Sequence, residues 1–245
     1  MRGGGGNYPE ILQIFKDGGN YHKLIYANYE LGRYIYLIET AGRRFAIKHI
    51  KQDKERFEKI CYQKIIGCAY YPRILRLTAK AIDKGCVAAQ DIFLVAERKI
   101  SFTAKEIFII AEYVEGRPLG RDYARQEYRR PIVNLLQQLH LYGLAVCDFQ
   151  PGNIIVTPEN KLKAIDISIN SLISYCQAKD VLCFYKYFNF VPVEELNFSI
   201  KLKSLFWFIF YRDKIRCFVR QIRQKLNIFT DHSLKNEDET LDEKD

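Results

Sequence analysis

A chain of 245 residues with 48% hydrophobic and 14% aromatic residues can fill one large domain, or two lobes around a cleft, and is not a disordered polypeptide. The formal net charge is +9, but seven acidic and two basic residues from Asp231 to Asp245 put −5 on the tail and leave about +14 on the remainder, which suits an anionic partner. The seven cysteines show no Cys-x-x-Cys pair and no His partner at metal spacing, and Met1–Gly6 is Gly-rich and polar, so reduced thiols, no secretory signal and a cytosolic protein are expected.

After a flexible start and a short apolar segment, Ile11–Phe15, three strands are predicted: Lys23–Ala27, Tyr34–Glu39 and Phe45–Ile50. Gly32 and Ala41-Gly42-Arg43 punctuate them as turns of an antiparallel meander. Gln52–Ile66 has helical spacing. A second helix is predicted over Arg73–Asp83, with Pro72 at its start and Gly85 just past its end. Two apolar strands follow, Ile92–Ala96 and Ile107–Tyr113, separated by a charged turn at Glu97-Arg98-Lys99. Glu112-Tyr113-Val114-Glu115-Gly116-Arg117-Pro118-Leu119 reads as an interlobe connector. The helix Pro131–Tyr142 buries Ile132, Leu135, Leu136 and Leu139 and stops near Gly143. Leu162–Ile167 is a short strand carrying Asp166, Ile200–Leu226 an apolar and basic helix, and the tail after Thr230 is disordered.

Cys147-Asp148-Phe149-Gln150-Pro151-Gly152-Asn153 sets an Asp and an Asn five apart across a Pro-Gly turn, between a helix and the apolar run Ile154–Val156. Phosphoryl transfer needs oxygens that converge on a metal, a carboxylate that orients the acceptor hydroxyl and takes its proton, and an ammonium on the nucleotide phosphates. Asn153 and Asp166 are placed for the metal, Asp148 for the acceptor and Lys48, on the third strand, for the phosphates. Glu112 and Val114 of the connector are assigned with Lys48 to the nucleotide. Singly, each has an ordinary alternative: Asp148 a cap, Asn153 a turn residue, Lys48 a strand end. The order strand Lys, connector, helix, Asp-x-x-x-x-Asn, Asp is what carries the reading. Cys147 is read as a small buried hydrophobe and His140 as structural.

Several stretches resemble the bacterial lipopolysaccharide core heptose(II) kinase family, over roughly Lys23 to Leu226. They are Asp91–Lys99, Ile107–Gly116, Leu139-His140 with Gly143, Asp148 with Gly152-Asn153, Ile165-Asp166-Ile167-Ser168 in place of Asp-Phe-Gly, and Gln177-Ala178-Lys179-Asp180. The resemblance implies an α+β, two-lobed protein-kinase-like fold, and transfer of phosphate from ATP, with Mg2+, to a heptose of the lipopolysaccharide inner core at the cytoplasmic face of the inner membrane. By position it carries over Asp148 as catalytic Asp, Asn153 and Asp166 as metal ligands and Lys48 as the phosphate-binding Lys. Two departures stand out. No Gly-x-Gly-x-x-Gly is present, and the position of the helix Glu that should pair with Lys48 falls at Pro72, with Glu55 and Glu58 nearby in sequence.

The expected organisation is a loosely packed segment 1–20, a small nucleotide-binding lobe 21–114, a large catalytic lobe 115–229 ending in a basic helix, and a disordered acidic tail 230–245. The uncharged run Ser204–Tyr211 is too short to span a bilayer, which takes ~20 apolar residues. Its choices are to pack within the large lobe or to lie, with its basic flanks, on anionic headgroups. Peripheral contact with an anionic membrane is the expectation; a nucleic-acid partner is not, since the cations follow no recognition motif. Two alternatives are a kinase of another sugar or small molecule, and a weakly active kinase-like protein that binds membrane surfaces.

Overall fold

A computed structural model describes residues 23–30, 32–40, 42–54, 70–99, 104–120, 125–169, 172–188 and 199–238. The chain divides into two compact units, one up to residue 196 and one from residue 197 onward.

The first unit opens with β1 (Lys23–Asn28), β2 (Arg33–Thr40) and β3 (Arg43–Lys54), continues through helix α1 (Tyr70–Asp83), and closes its sheet with β4 (Ile92–Lys99) and β5 (Ala104–Glu112). The sheet is antiparallel throughout, in the order β1-β2-β3-β5-β4. Alternation along β3 divides its side chains between two faces. Phe45 and Ile47 join Ile38 and Ile110 in one buried cluster. Ile50, on the other face, packs with Ile107 and with Tyr71 of α1. The helix presents Tyr71, Ile74, Thr78 and Ala81 at the three- and four-residue intervals of one face.

Beyond the connector, β6 (Arg117–Pro118), β7 (Ile154–Val156) and β8 (Leu162–Ala164) form a small antiparallel sheet, and helices α2 (Gln126–Leu141) and α3 (Ile173–Tyr187) supply the core of the larger lobe. Tyr128, Ile132, Leu135, Leu136 and Leu139 are the buried face of α2. The helix ends where Gly143, at φ +73, turns the chain left-handed, with Gly143 N–H on His140 O and Leu144 N–H on Leu139 O. Ala88 to Gln90 tie the lobes together: Ala164 N–H donates to Ala88 O and Gln90 N–H to Ala164 O, at 2.8 and 2.9 Å. The architecture is α+β, a small antiparallel β lobe followed by a mainly helical lobe.

Four predicted elements are corrected. Glu97-Arg98-Lys99 is not a turn but the end of β4, where Arg98 pairs across the ladder with Glu106, Nη2 to Oε2 2.5 Å. β4 is an edge strand, and charge is what an edge carries to resist pairing with another chain. α2 begins five residues before Pro131, which sits inside the helix and leaves the carbonyl four residues earlier without that amide. Asp166 lies outside β8, which stops at Ala164; its φ of +61 is incompatible with a strand. Gln52, Asp53 and Lys54 extend β3 rather than start a helix; the rest of the predicted Gln52–Ile66 helix, with Glu55 and Glu58, lies outside the described residues, as do Met1–Gly6 and Ile11–Phe15.

The second unit holds α4 (Ile200–Asp238), a 39-residue helix that runs past Thr230, where the sequence suggested disorder. It meets neither Pro nor Gly on the way, and Leu, Lys, Asn and Glu continue it. Leu202, Phe206 and Ile209 are buried. Phe208, Tyr211, Ile215, Phe218 and Ile222, on the other side of the helix, are exposed.

Candidate active site

Lys48 sits in the middle of β3, between Ile35 of β2 and Ile109 of β5, on the sheet face that Ile50 shares. Its ammonium meets the Asp166 carboxylate, Nζ donating to Oδ1, across 118 residues of sequence. The carboxylate that the sequence failed to supply at Pro72 is therefore Asp166 itself, and one ion pair joins the small lobe to the loop after β8.

Asp148 lies in a second loop, between α2 and the turn Pro151–Asn153. Gln150 Nε2 donates to its Oδ2 at 2.8 Å, and Asn153 Nδ2 donates to its main-chain oxygen at 2.9 Å. Pro151–Asn153 form a single 3-10 turn, so Asn153 is brought back under Asp148 within five residues. Asn153 O in turn accepts the amide of Ile165, the residue before Asp166. Partial burial pushes the Asp148 carboxyl up from its ordinary value, the nearby Asp166 charge adds to the rise, and Lys186 opposes it.

The loop is anchored from beneath. Phe149, between Asp148 and Gln150, points into the large lobe and is fully buried against Phe184 and Phe188, with ring centroids 6.4 and 5.7 Å away. Asp180 of α3, also fully buried, accepts Val146 N–H at 3.0 Å and lies 3.3 Å from His140 Nε2. Its burial raises its pKa, against the pull of His140 and of the Val146 and Cys147 amides. Cys147 and Asp166, on either side of the site, both hold φ of +61, a conformation that costs a non-glycine residue roughly 1–2 kcal/mol.

The connector residues are held differently. Glu112 N–H donates to Asp91 O at 2.9 Å, its carbonyl accepts Gln90 Nε2 at 2.7 Å, and its two carboxylate oxygens accept Lys163 Nζ at 2.7 and 2.6 Å. Val114 lines a cavity of about 780 Å³ beside Asn134, Gln138 and Lys163, and none of Lys48, Asp148, Asn153 or Asp166 borders it. Gly116 ends the connector at φ +136; a Cβ there would stand 2.1 Å from Val156 O.

Lys48, Asp148, Asn153 and Asp166 thus meet around one loop system, while Glu112 and Val114 stand behind it. Among the described residues no three His, Cys, Asp or Glu side chains converge on a point. The donors at hand are one carboxylate and one amide, the set that suits Mg2+, which completes its shell with water and phosphate oxygens rather than a protein cage. Sequence reasoning gave no role to Tyr70, Gln90, Gln150, Lys163, Ser168 or Asp180. Gln150, two residues from Asp148, and Ser168, two residues from Asp166, had a signal in their positions, but the partners of all but Gln150 lie 21 or more residues away.

The pattern of the family described as "Lipopolysaccharide core biosynthesis protein (WaaY)" matches residues 7–225. The chain is 25% identical over 193 residues to a lipopolysaccharide core heptose(II) kinase WaaY of Escherichia coli, covering 78% of this chain and 80% of that protein. It is 23% identical over 193 residues to the protein of the same name from strain K12, covering 78% and 79%. Among solved structures, WaaP in complex with acyl carrier protein aligns over 86% of this chain and 90% of that one, with a TM-score of 0.49 and 15% identity.

Proposed function

Because the chain belongs to the WaaY family of lipopolysaccharide core biosynthesis proteins, we propose that it transfers the γ-phosphoryl group of ATP to a hydroxyl of a heptose, the second, in the lipopolysaccharide inner core. The observation that carries the reading is the Lys48–Asp166 ion pair standing over the Asp148–Asn153 loop. Asp166 and Asn153 would hold Mg2+, which would supply positive charge to the nucleotide phosphates. Lys48 holds the nucleotide phosphates. Asp148 orients the acceptor hydroxyl and takes its proton as the new P–O bond forms, and Gln150 fixes the carboxylate for this by occupying its other oxygen. Glu112, clamped by Lys163 and Gln90, sets the connector on which Val114 meets the base.

The lipid-anchored acceptor places the work at a membrane, at the cytoplasmic face of the inner one. No helix among the described residues is long and apolar enough to cross a bilayer. α4 offers a surface for peripheral contact instead: Phe208, Ile215 and Phe218, 63%, 63% and 62% exposed, recur with Tyr211 and Ile222 at helical spacing, with the exposed Lys214 at their flank.

The test is phosphate incorporation from ATP into dephosphorylated core oligosaccharide, with the wild type and with Asp148→Ala. Loss of incorporation in the variant is expected; activity that survives unchanged removes the assignment. Flotation with anionic vesicles at low and high salt checks the surface separately; no binding at low salt removes it.

A further inference from the structure

Ser168 is gripped by three contacts from two other parts of the chain. Its amide donates to Ala145 O at 3.0 Å, its carbonyl accepts Cys147 Sγ at 2.9 Å, and its hydroxyl shares a 2.6 Å hydrogen bond with the hydroxyl of Tyr70. The first two contacts bind it to the segment that leads into Asp148. The third reaches the first residue of α1, 98 positions earlier. Ser168 is two residues from Asp166, with Ile167 and Ile169 buried on either side.

Asp166 needs such a hold. Its backbone is left-handed without being glycine, and a conformation of that kind persists only where the surroundings enforce it. Kinases of the protein-kinase type hold the strand lysine with a glutamate from the helix after the third strand, and this coupling must be in place together with the Asp that binds metal. At Pro72 α1 has no such carboxylate, but two residues earlier it has Tyr70. The Tyr70 ring packs edge-on to Tyr71 at 4.7 Å, and Tyr71 is wedged against Ile50 and Ile107 of the sheet. A rigid path therefore runs from β3 and β5 through α1 to the hydroxyl of Ser168. Burial pushes the Tyr70 phenol upward, so it keeps its proton wherever the enzyme works. A glycine at position 168, as in Asp-Phe-Gly, would offer that phenol nothing to bind.

We infer that the Tyr70–Ser168 hydrogen bond is a positioning brace that aligns the Asp166 carboxylate with the small lobe, taking over the alignment that a helix glutamate provides in other kinases. The inference rests on the metal role given to Asp166 above. Tyr70 and Ser168 touch neither phosphate nor metal; they act through Asp166.

The test uses the full chain with Tyr70→Phe, Ser168→Ala, both together, and Ser168→Thr, which keeps the hydroxyl. Either hydroxyl deletion should raise the Mg2+ concentration for half-maximal activity about five- to tenfold, as expected for one neutral hydrogen bond, with the KM for the acceptor unchanged. The double variant should be no worse than the worse single, and Ser168→Thr should stay within about twofold of wild type. Effects of the two deletions that multiply, or a lowered melting temperature with unaltered Mg2+ dependence, would overturn the brace. Hydrogen exchange separates this from the parent reading. The Ser168 amide should exchange faster in Tyr70→Phe whether or not the protein turns over substrate, and unchanged protection there sinks the brace. A wild type inactive on core oligosaccharide but showing the exchange change would refute the activity and leave the brace standing.

Discussion

Asp180→Ala should be the most damaging single change outside the reacting groups. Asp180 and Val146 are 0% and 1% exposed, so no water replaces the carboxylate when it is removed. Leaving the Val146 amide without its acceptor costs roughly 1–3 kcal/mol. His140, itself 7% exposed at the side chain, loses the hydrogen-bond partner at 3.3 Å, which costs roughly another 1–3 kcal/mol. Together a loss of about 4 kcal/mol is expected. At ~2–4 °C per kcal/mol for a chain of this size, the melting temperature should fall by roughly 10 °C. Asp180→Asn keeps the volume and one oxygen for Val146, and should cost about 1–2 kcal/mol. Urea unfolding followed by circular dichroism gives the ranking, and hydrogen exchange at the Val146 amide locates it. An alanine variant within 1 kcal/mol of wild type, or an asparagine variant as damaged as alanine, would refute the anchoring role of Asp180.

If Asp148 takes the acceptor proton as proposed, activity should rise with pH along an acid limb displaced upward from that of an ordinary Asp, because burial and Asp166 push its carboxyl up. Gln150→Lys puts a cation where the amide now donates, and should shift that acid limb to lower pH; a pH–rate profile that does not move refutes the contact's role. Gly116→Ala drives a Cβ to 2.1 Å from Val156 O and should destabilise by about 3 kcal/mol in urea titrations. Lys163→Met leaves the Glu112 carboxylate with the Asp91 amide at 3.2 Å but without its cation, and should raise the KM for ATP several-fold with the KM for the acceptor unchanged in steady-state kinetics.

The loop from Asp148 to Asn153 could be read from sequence because its chemistry is local: an Asp, a Pro-Gly turn and an Asn that folds back on the Asp carbonyl within five residues. The meander of β1 to β3 was legible for the same reason, since alternation and turn residues are short-range signals. What fixes those pieces in space was not. Asp180 reads as one more polar residue on a helix until α3 is docked and Val146 is found on it. Tyr70 reads as an aromatic ahead of the helix predicted from Arg73, whereas it begins α1, and its partner is 98 residues away. Glu97-Arg98-Lys99 looked like a turn because charges mark turns, yet charges also mark an edge strand, and Glu106 across the ladder resolves the ambiguity. Pro131 misled by its usual place at the first helical turn, whereas α2 carries it within.

The burial of Phe149 bears on how the protein meets its substrates. Phe149, between Asp148 and Gln150, is locked among Phe184 and Phe188, which anchors the backbone on which Asp148 sits. Ordering a mobile loop would subtract roughly 1–2 kcal/mol per residue from the binding of any acceptor. Here that entropy is surrendered during folding of the large lobe. In the proposed reaction, a weakly held sugar would be oriented by Asp148 without first having to freeze the loop that carries it.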